Sequence, residues 1–381
     1  MKDAFTRREA RVIAPPYRWG NAMLANATPG AGFRELIPMR PDERIDPEKV
    51  GRFLAGKLPG AAGTPEIEQF EGGHANLTYL VKYGTLEYVL RRPPLGPVAP
   101  KSHDMGREYK VLSVLYQSYP LAPRAYLYSE EKDVVGAPFL VMERRKGIVI
   151  RKEMPAGFRN NPELNRRMSA MIVDGLASLH QVDAKAIGLE SLGKPEGFME
   201  RQVSGWAGRW EAAKTEEVPR FNEVHEWMKA RIPQKPRASL VHNDYKLDNM
   251  MVSASDPATC VGVFDWDMCT MGDPLADVGT LLGYWIEAGD GPARTAFPTM
   301  PTTEPGWYTR QEVAEHYARR TGVDVADLRF YEIFANWKTA VVIQQIYVRF
   351  HRGQTQDVRF KEYGVRAKGL IDAAWDLMRK G

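Results

Sequence analysis

Cysteine is scarce: only Cys260 and Cys269 occur in 381 residues. Two thiols cannot build a disulfide framework or a four-cysteine zinc site. They fit a reducing compartment, so a cytoplasmic setting is expected. Residues 1–20 hold no apolar core of signal-peptide length, and nowhere does a run of about 18 apolar residues occur, so no membrane span is expected. An excess of one charge is also lacking. The 52 Lys and Arg nearly balance 48 Asp and Glu, leaving +4. No dense basic block marks a nucleic-acid or membrane-surface partner. Internal repeats and low-complexity tracts are missing too, which excludes solenoids and arrays.

What remains is an ordinary globular composition, 44% hydrophobic and 26% charged, on a chain long enough for two lobes. Residues 1–45 are rich in Pro, Gly and Arg without a sustained period and read as an irregular arm. Residues 41–58 read as a helix entering the first lobe, with Asp46 as N-cap and Pro47 at its first position. Residues 67–70, 77–83 and 87–91 read as strands, with Gly84 and Thr85 turning between the last two. A helix over 106–116 and a short strand over 138–142 follow. The polar run Glu143-Arg144-Arg145-Lys146-Gly147 then reads as a hinge. Beyond about 163 the period is helical, interrupted by a strand pair at 239–266 and a long Pro/Gly/Thr-rich loop at 284–309. The expected fold class is α+β: a small β-rich N-lobe over 46–143 and a larger helical C-lobe over 144–381, with a cleft between them.

The chemistry concentrates at LVHNDYKLDN, a loop, and VGVFDWD, residues 240–249 and 261–267. An acid, Asp244, sits in a loop after an apolar strand. Lys246 follows two residues later and Asn249 five residues later, and Asp265 ends the next apolar strand. Phosphoryl transfer asks mostly for positioning and charge neutralisation. Asp244 suits the proton of an attacking hydroxyl, and Lys246 suits the moving phosphoryl group. Asn249 and Asp265 are oxygen donors suited to magnesium.

This pattern resembles the aminoglycoside-phosphotransferase (APH) superfamily, a branch of the protein-kinase-like fold. It is most similar to the phosphotransferase module associated with acyl-CoA dehydrogenases. The similarity extends through YVLRRPPLGP (88–97), HDMGREYKVLS (103–113), PFLVMER (138–144), LASLHQVD (176–183), residues 197–214 and GDPLADVG (272–279). It implies ATP, or GTP, with Mg2+ as cofactors, and a small-molecule hydroxyl acceptor as partner. A functional link to an acyl-CoA dehydrogenase is also implied. Asp244 would be the base, and Asn249 and Asp265 the metal ligands. Gly72, Gly73 and Asn76 would lie over the phosphates. Glu108 would pair with a strand cation, Glu143 to Arg145 would offer backbone to the purine, and Asp277 would brace the catalytic loop.

Two positions depart from the family pattern. The strand lysine is replaced by arginine, Arg91 or Arg92; alternation makes the two point oppositely, and Arg91 is the expected partner of Glu108. The glycine of H-G-D is Asn243, a residue that tolerates left-handed backbone angles. His242 and His180 read as structural histidines. Trp206, Trp210, Trp285 and Trp307 read as core before pocket. The expected acceptor is a hydroxy acid or hydroxyacyl-CoA, with Arg201, Arg209, Arg294 and Arg310 as candidate cations for it. Alternatives are an aminoglycoside or macrolide kinase, and an inactive nucleotide-binding protein.

Overall fold

The structure is a computed structural model that describes residues 35–71, 76–94, 104–234, 237–355 and 357–380. Gly72 and Gly73, and residues 1–34 of the arm, lie outside the described residues. The N-lobe contains β1 (Leu36–Ile37), α1 (Pro47–Leu54), β2 (Glu66–Phe70), β3 (Leu77–Tyr83), β4 (Leu86–Arg92), α2 (Met105–Leu115), β5 (Ala125–Ser129), α3 (Lys132–Val135) and β6 (Phe139–Glu143). Its strands form one sheet in the order β1-β2-β3-β4-β6-β5, each neighbour antiparallel.

Local chemistry accounts for several of these boundaries. The Asp46 carboxylate accepts the backbone N–H groups of Glu48 and Lys49 at 2.9 and 3.3 Å, satisfying donors that the start of α1 leaves open. Pro47 takes the first helical position. The helix is shorter than the expected 41–58, because residues 41–43 form a separate single turn. Asp104 caps α2 in the same way. Gly84 turns β3 into β4 at φ 60°.

Successive side chains of a strand face opposite sides. On β4, Tyr88 and Leu90 pack with Val50, Leu54 and Phe139 beneath α1 and α3. Val89 packs with Val111, Leu112, Leu140 and Met142 on the α2 side. Arg91 therefore shares the α2 face and Arg92 the α1 face. The α2-side residues are continuous with the C-lobe core, so the two lobes share one packed interior.

The C-lobe comprises α4 (Pro162–His180), α5 (Phe198–Ala213), α6 (Pro219–Lys229), β7 (Ser239–Val241), β8 (Met250–Val252), β9 (Cys260–Val263), β10 (Thr270–Gly272), α7 (Pro274–Tyr284), α8 (Pro292–Thr295), α9 (Arg310–Thr321), α10 (Leu328–His351) and α11 (Tyr363–Arg379). In place of the single strand pair expected at 239–266 there are two: β8 with β9, and β7 with the later β10. Strands of three or four residues are too short to show a period, and the Leu240–Met271 pairing is not local. The 284–309 segment is mostly irregular, as expected, but α8 interrupts it, and Trp285, Ile286, Met300 and Trp307 anchor it in the interior. Among the described residues, no helix is long and apolar enough to cross a membrane.

The GDPLADVG stretch has a physical reading at nearly every position. Asp273 caps α7 by accepting the Leu275 N–H at 3.0 Å, and its other oxygen accepts the Tyr331 hydroxyl at 2.6 Å. Pro274 starts the helix. A Cβ at Gly279 would stand 2.5 Å from the Tyr331 backbone, so only glycine lets α7 approach α10 this closely.

Candidate active site

The loop after β7 carries Asp244, Lys246 and Asn249, and two buried groups hold it from below. Asp277, fully buried on α7, accepts the backbone N–H of His242 through Oδ2 and of Asn243 through Oδ1, each at 2.6 Å. Its Oδ2 also lies 3.2 Å from His180 Nε2, and His180 Nδ1 lies 2.7 Å from the Tyr317 hydroxyl. Burial alone would raise the Asp277 pKa. The hydrogen bond and charge of His180, with help from His242, outweigh burial and hold it below the ordinary aspartate range. From the other side, the buried Lys338 of α10 donates to the Asn243 carbonyl at 2.9 Å. Asn243 is left-handed, at φ 67°, in the place of the family's glycine. Its side chain secures the turn by donating to the Met268 carbonyl at 2.9 Å.

His242 ties the two halves of the site together. Its Nδ1 accepts the Asp244 N–H at 3.3 Å, and its Nε2 meets the Phe264 carbonyl at 2.9 Å. Nε2 therefore carries the hydrogen, and the ring is a strut between the loop and the end of β9.

Asp244 is tightly placed. Oδ2 accepts Lys246 Nζ at 2.7 Å and Asn249 Nδ2 at 2.9 Å, while Oδ1 accepts the Tyr284 hydroxyl at 3.2 Å. A carboxylate has about four acceptor positions. Oδ2 is filled, and Oδ1 keeps a position beside Tyr284. Burial works against the Lys246 charge, yet Tyr284 and Asp244 outweigh it and the ammonium is held protonated. Lys246 also sits 4.9 Å from the centre of the Tyr284 ring. Tyr284, at the end of α7, is a site residue that the sequence reading missed. A lone tyrosine before a loop carries no local signal, and only the packing of α7 aims it at Asp244.

Asn249 donates its amide N–H to the Asp244 carbonyl and carboxylate, which turns its own oxygen away from that pair. Asp265, left-handed at φ 71°, binds Arg91 Nη2 through Oδ1 at 2.5 Å. Arg91 Nη1 binds Glu108 Oε1, also at 2.5 Å. One planar guanidinium thus links α2, β4 and the strand end across the cleft, a bridging geometry a lysine ammonium does not offer. Against burial, Arg91 holds Asp265 below its usual range. For Glu108, burial dominates over the Arg91 charge and pushes the carboxyl up to about 7.

Arg92 turns the other way. It donates to the carbonyls of Val135 and Glu43 and to the Tyr79 hydroxyl, inside the N-lobe. Asn76 is buried at the start of β3. Glu143 and Arg145 sit at the hinge, but their side chains serve the scaffold. Glu143 Oε2 accepts the Arg124 N–H at 3.1 Å and pairs with Arg145 at 2.9 Å. Arg145 donates to the carbonyls of Pro120, Ala122 and Val261. The Glu143 N–H also donates to the Arg124 carbonyl at 2.8 Å, and the Arg145 carbonyl accepts from Arg144.

The two acceptor cations expected in the long loop are paired with carboxylates of the loop and of α10. Arg294 pairs with Glu332 at 3.0 Å and donates to the carbonyls of Leu282 and Trp285. Arg310 is clamped by Asp290 at 2.6 and 2.7 Å and by Glu287 at 3.1 Å. Arg201 donates to the carbonyls of Lys194 and Glu196, and Arg209 stacks on Trp206. The four tryptophans are interior: Trp210 stacks on Phe221, Trp285 packs edge-on to Trp307, and Trp206 is buried.

Comparison with known proteins gives a consistent picture. The pattern of the APH family, described as the phosphotransferase enzyme family, matches residues 66–315, more than half of the chain. Acyl-CoA dehydrogenase family member 10 of Mus musculus is 28% identical over 352 residues, covering 92% of this chain and 33% of that protein. Family member 11 of Homo sapiens is 28% identical over 343 residues, covering 85% of this chain and 42% of that protein. The chain therefore spans less than half the length of these relatives. Among solved structures, a Ralstonia eutropha protein provisionally named an aminoglycoside phosphotransferase superposes with a TM-score of 0.76 at 27% identity, over 88% of this chain and 99% of that one. The aminoglycoside phosphotransferase APH(4)-Ia, solved with AMP-PNP and hygromycin B, shares the fold alone, at TM-score 0.55 and 16% identity over 87% of this chain and 100% of that one.

Proposed function

Because this chain belongs to the APH family of phosphotransferase enzymes, we propose that it transfers the γ-phosphoryl group of ATP to the hydroxyl of a hydroxy acid or its CoA thioester. The observation that carries the reading is the disposition of Asp244. Lys246 and Asn249 fill one carboxylate oxygen, and the other stays open beside Tyr284. An acceptor hydroxyl donates to that oxygen. As its oxygen bonds to the γ-phosphorus, the bond from phosphorus to the ADP oxygen breaks, and the hydroxyl proton passes to Asp244 Oδ1. Lys246, already placed against Asp244, meets the charge of the phosphoryl group in flight.

The donor set fits magnesium: the Asn249 amide oxygen and the Asp265 carboxylate are hard ligands, and nucleotide phosphates and water complete such a site. When bound, magnesium neutralises charge on the phosphates. Arg91 is the phosphate cation of the N-lobe, oriented by Glu108. Asn76 lies over the phosphates, and the backbone of the hinge from Glu143 to Arg145 meets the purine. The expected split between the two arginines is specific. Arg91→Ala raises the KM for ATP about tenfold or more, whereas Arg92→Ala lowers the melting temperature and leaves that KM nearly unchanged. Titration with ATP and a thermal melt of each variant check this, and the reverse order would reassign the phosphate cation.

The acceptor class rests on the acyl-CoA dehydrogenase relatives and on the neutralised loop. A polycationic aminoglycoside gains binding from free carboxylates. Here Glu287 and Asp290 are bound to Arg310 and Arg294. Phosphorylation would turn a poor leaving group into a good one for a later elimination. The test is a phosphate-transfer screen of the purified protein with ATP and magnesium, read by mass spectrometry. It offers hydroxy acids, hydroxyacyl-CoAs, an aminoglycoside and a macrolide. Transfer to a hydroxy acid or its thioester is the expected result. Transfer to an antibiotic alone favours the antibiotic-kinase reading, and transfer to none favours an inactive nucleotide-binding protein.

A further inference from the structure

Tyr284, at the end of α7, takes a hydrogen-bonding position on Asp244 that a water would otherwise use. Its hydroxyl donates to Oδ1 at 3.2 Å, the oxygen that Lys246 and Asn249 leave free. A carboxylate oxygen accepts about two hydrogen bonds. Tyr284 therefore fills one position on Oδ1 and leaves one.

The phenol is itself held in place. The Thr339 side chain of α10 hydrogen-bonds it, and Lys246 Nζ stands 4.9 Å from the centre of its ring. Lys338, the residue before Thr339, donates to the Asn243 carbonyl at 2.9 Å. Two successive residues of α10 thus brace Asp244, one through the preceding peptide and one through Tyr284. Burial, and after it the Asp244 charge, push the Tyr284 pKa up, so the phenol stays a donor.

Water is close at hand. The Asp244 side chain is 23% exposed. Tyr284 and Thr339 also line a space of about 20 Å³, room for one water. A base that takes the proton of an acceptor hydroxyl also takes that of water, and the phosphoryl group is then lost to hydrolysis.

We propose that Tyr284 is a positioning residue that reserves Asp244 Oδ1 for the acceptor, and so sets the ratio of transfer to hydrolysis. The inference rests on the phosphotransferase reading and deepens it. In the side reaction the oxygen of water bonds to the γ-phosphorus of ATP. The bond from phosphorus to the ADP oxygen breaks, and a water proton passes to Asp244 Oδ1. Tyr284→Phe keeps the ring beside Lys246 and removes the hydroxyl. Two positions on Oδ1 are then open, and water competes for both.

The test follows phosphate release and acceptor phosphorylation by the full chain with ATP and magnesium. It is run without acceptor, with 4-hydroxypentanoate and with its CoA thioester. Tyr284→Phe raises the ratio of hydrolysis to transfer about tenfold, the worth of one hydrogen bond. Its KM for ATP and melting temperature stay close to wild type. Thr339→Val, which loses only the bond to the phenol, shifts the ratio the same way by about threefold. It carries the test alone should Tyr284→Phe melt early. Where neither acceptor is used, faster phosphate release by the variants without acceptor supports the proposal, and an unchanged or slower release overturns it. Hydrolysis and transfer that fall in proportion mark a merely structural role and also overturn it. If wild type transfers and the ratio does not move, this inference alone falls. If no protein cleaves ATP, the phosphotransferase reading falls with it.

Discussion

Asp244→Asn is expected to lower turnover at least about a hundredfold, a loss of about 2.7 kcal/mol of transition-state stabilisation. The amide cannot accept the hydroxyl proton. It also loses the charge that holds Lys246 at 2.7 Å, so the ammonium is less firmly placed against the moving phosphoryl group. The residue is nearly isosteric, the loop backbone is held by the Asp277 carboxylate and the Lys338 ammonium, and Asn249 keeps its bond to the Asp244 carbonyl. Fold and nucleotide affinity should therefore stay close to wild type. Steady-state kinetics on the purified variant, with its melting curve as control, check this. Near-normal turnover in a folded protein would remove Asp244 from the role of base.

Asp277→Asn should collapse both activity and stability, although it touches neither substrate. Two backbone N–H groups and His180 converge on this one buried carboxylate. An amide has one acceptor oxygen, so it leaves one N–H facing an NH2 group. A buried donor without a partner costs about 1–3 kcal/mol, and loss of the charge beside His180 adds to it. The left-handed Asn243 then loses its anchor, and Asp244 moves with it. The sign of the pH effect follows from the depressed pKa of Asp277. Its stabilisation is full above the ordinary aspartate range and fades as pH falls through the lower folded value. Denaturant unfolding of wild type and variant across acid pH should show that difference narrowing as pH falls. An equal gap at every pH would count against a charged Asp277.

The candidate site's loop was legible because its residues are close in sequence. Asp244, Lys246 and Asn249 lie within six residues, and Asp265 ends the next apolar strand but one, so spacing alone placed their types in order. The caps at Asp46 and Asp104 are read from the residues they precede, and Asp46 was visible for that reason. The choice of Arg91 over Arg92 as the Glu108 partner came from strand alternation, a period of two that any β-strand imposes.

Other features carried no such signal. The strands β7 and β10 are three residues each and pair across the whole catalytic hairpin. Tyr284 and Lys338 lie on two different helices, and nothing in their neighbours along the chain marks them. Arg294 and Arg310 looked available for an anionic acceptor, because a sequence does not show that Glu332, from a later helix, and Asp290 close around them.

What the sequence determined by itself was the make-up of the candidate site's loop and the two-lobed plan, since both rest on short-range order: residue type, spacing and period. Tertiary structure alone decided which side chains surround that site and which carboxylates close on Arg91, Arg294 and Arg310. Those outcomes depend on how α7, α10 and α11 pack, and packing brings together residues that share no local code. Gly279, which lets α7 lie against the Tyr331 backbone, is the small residue on which that approach turns.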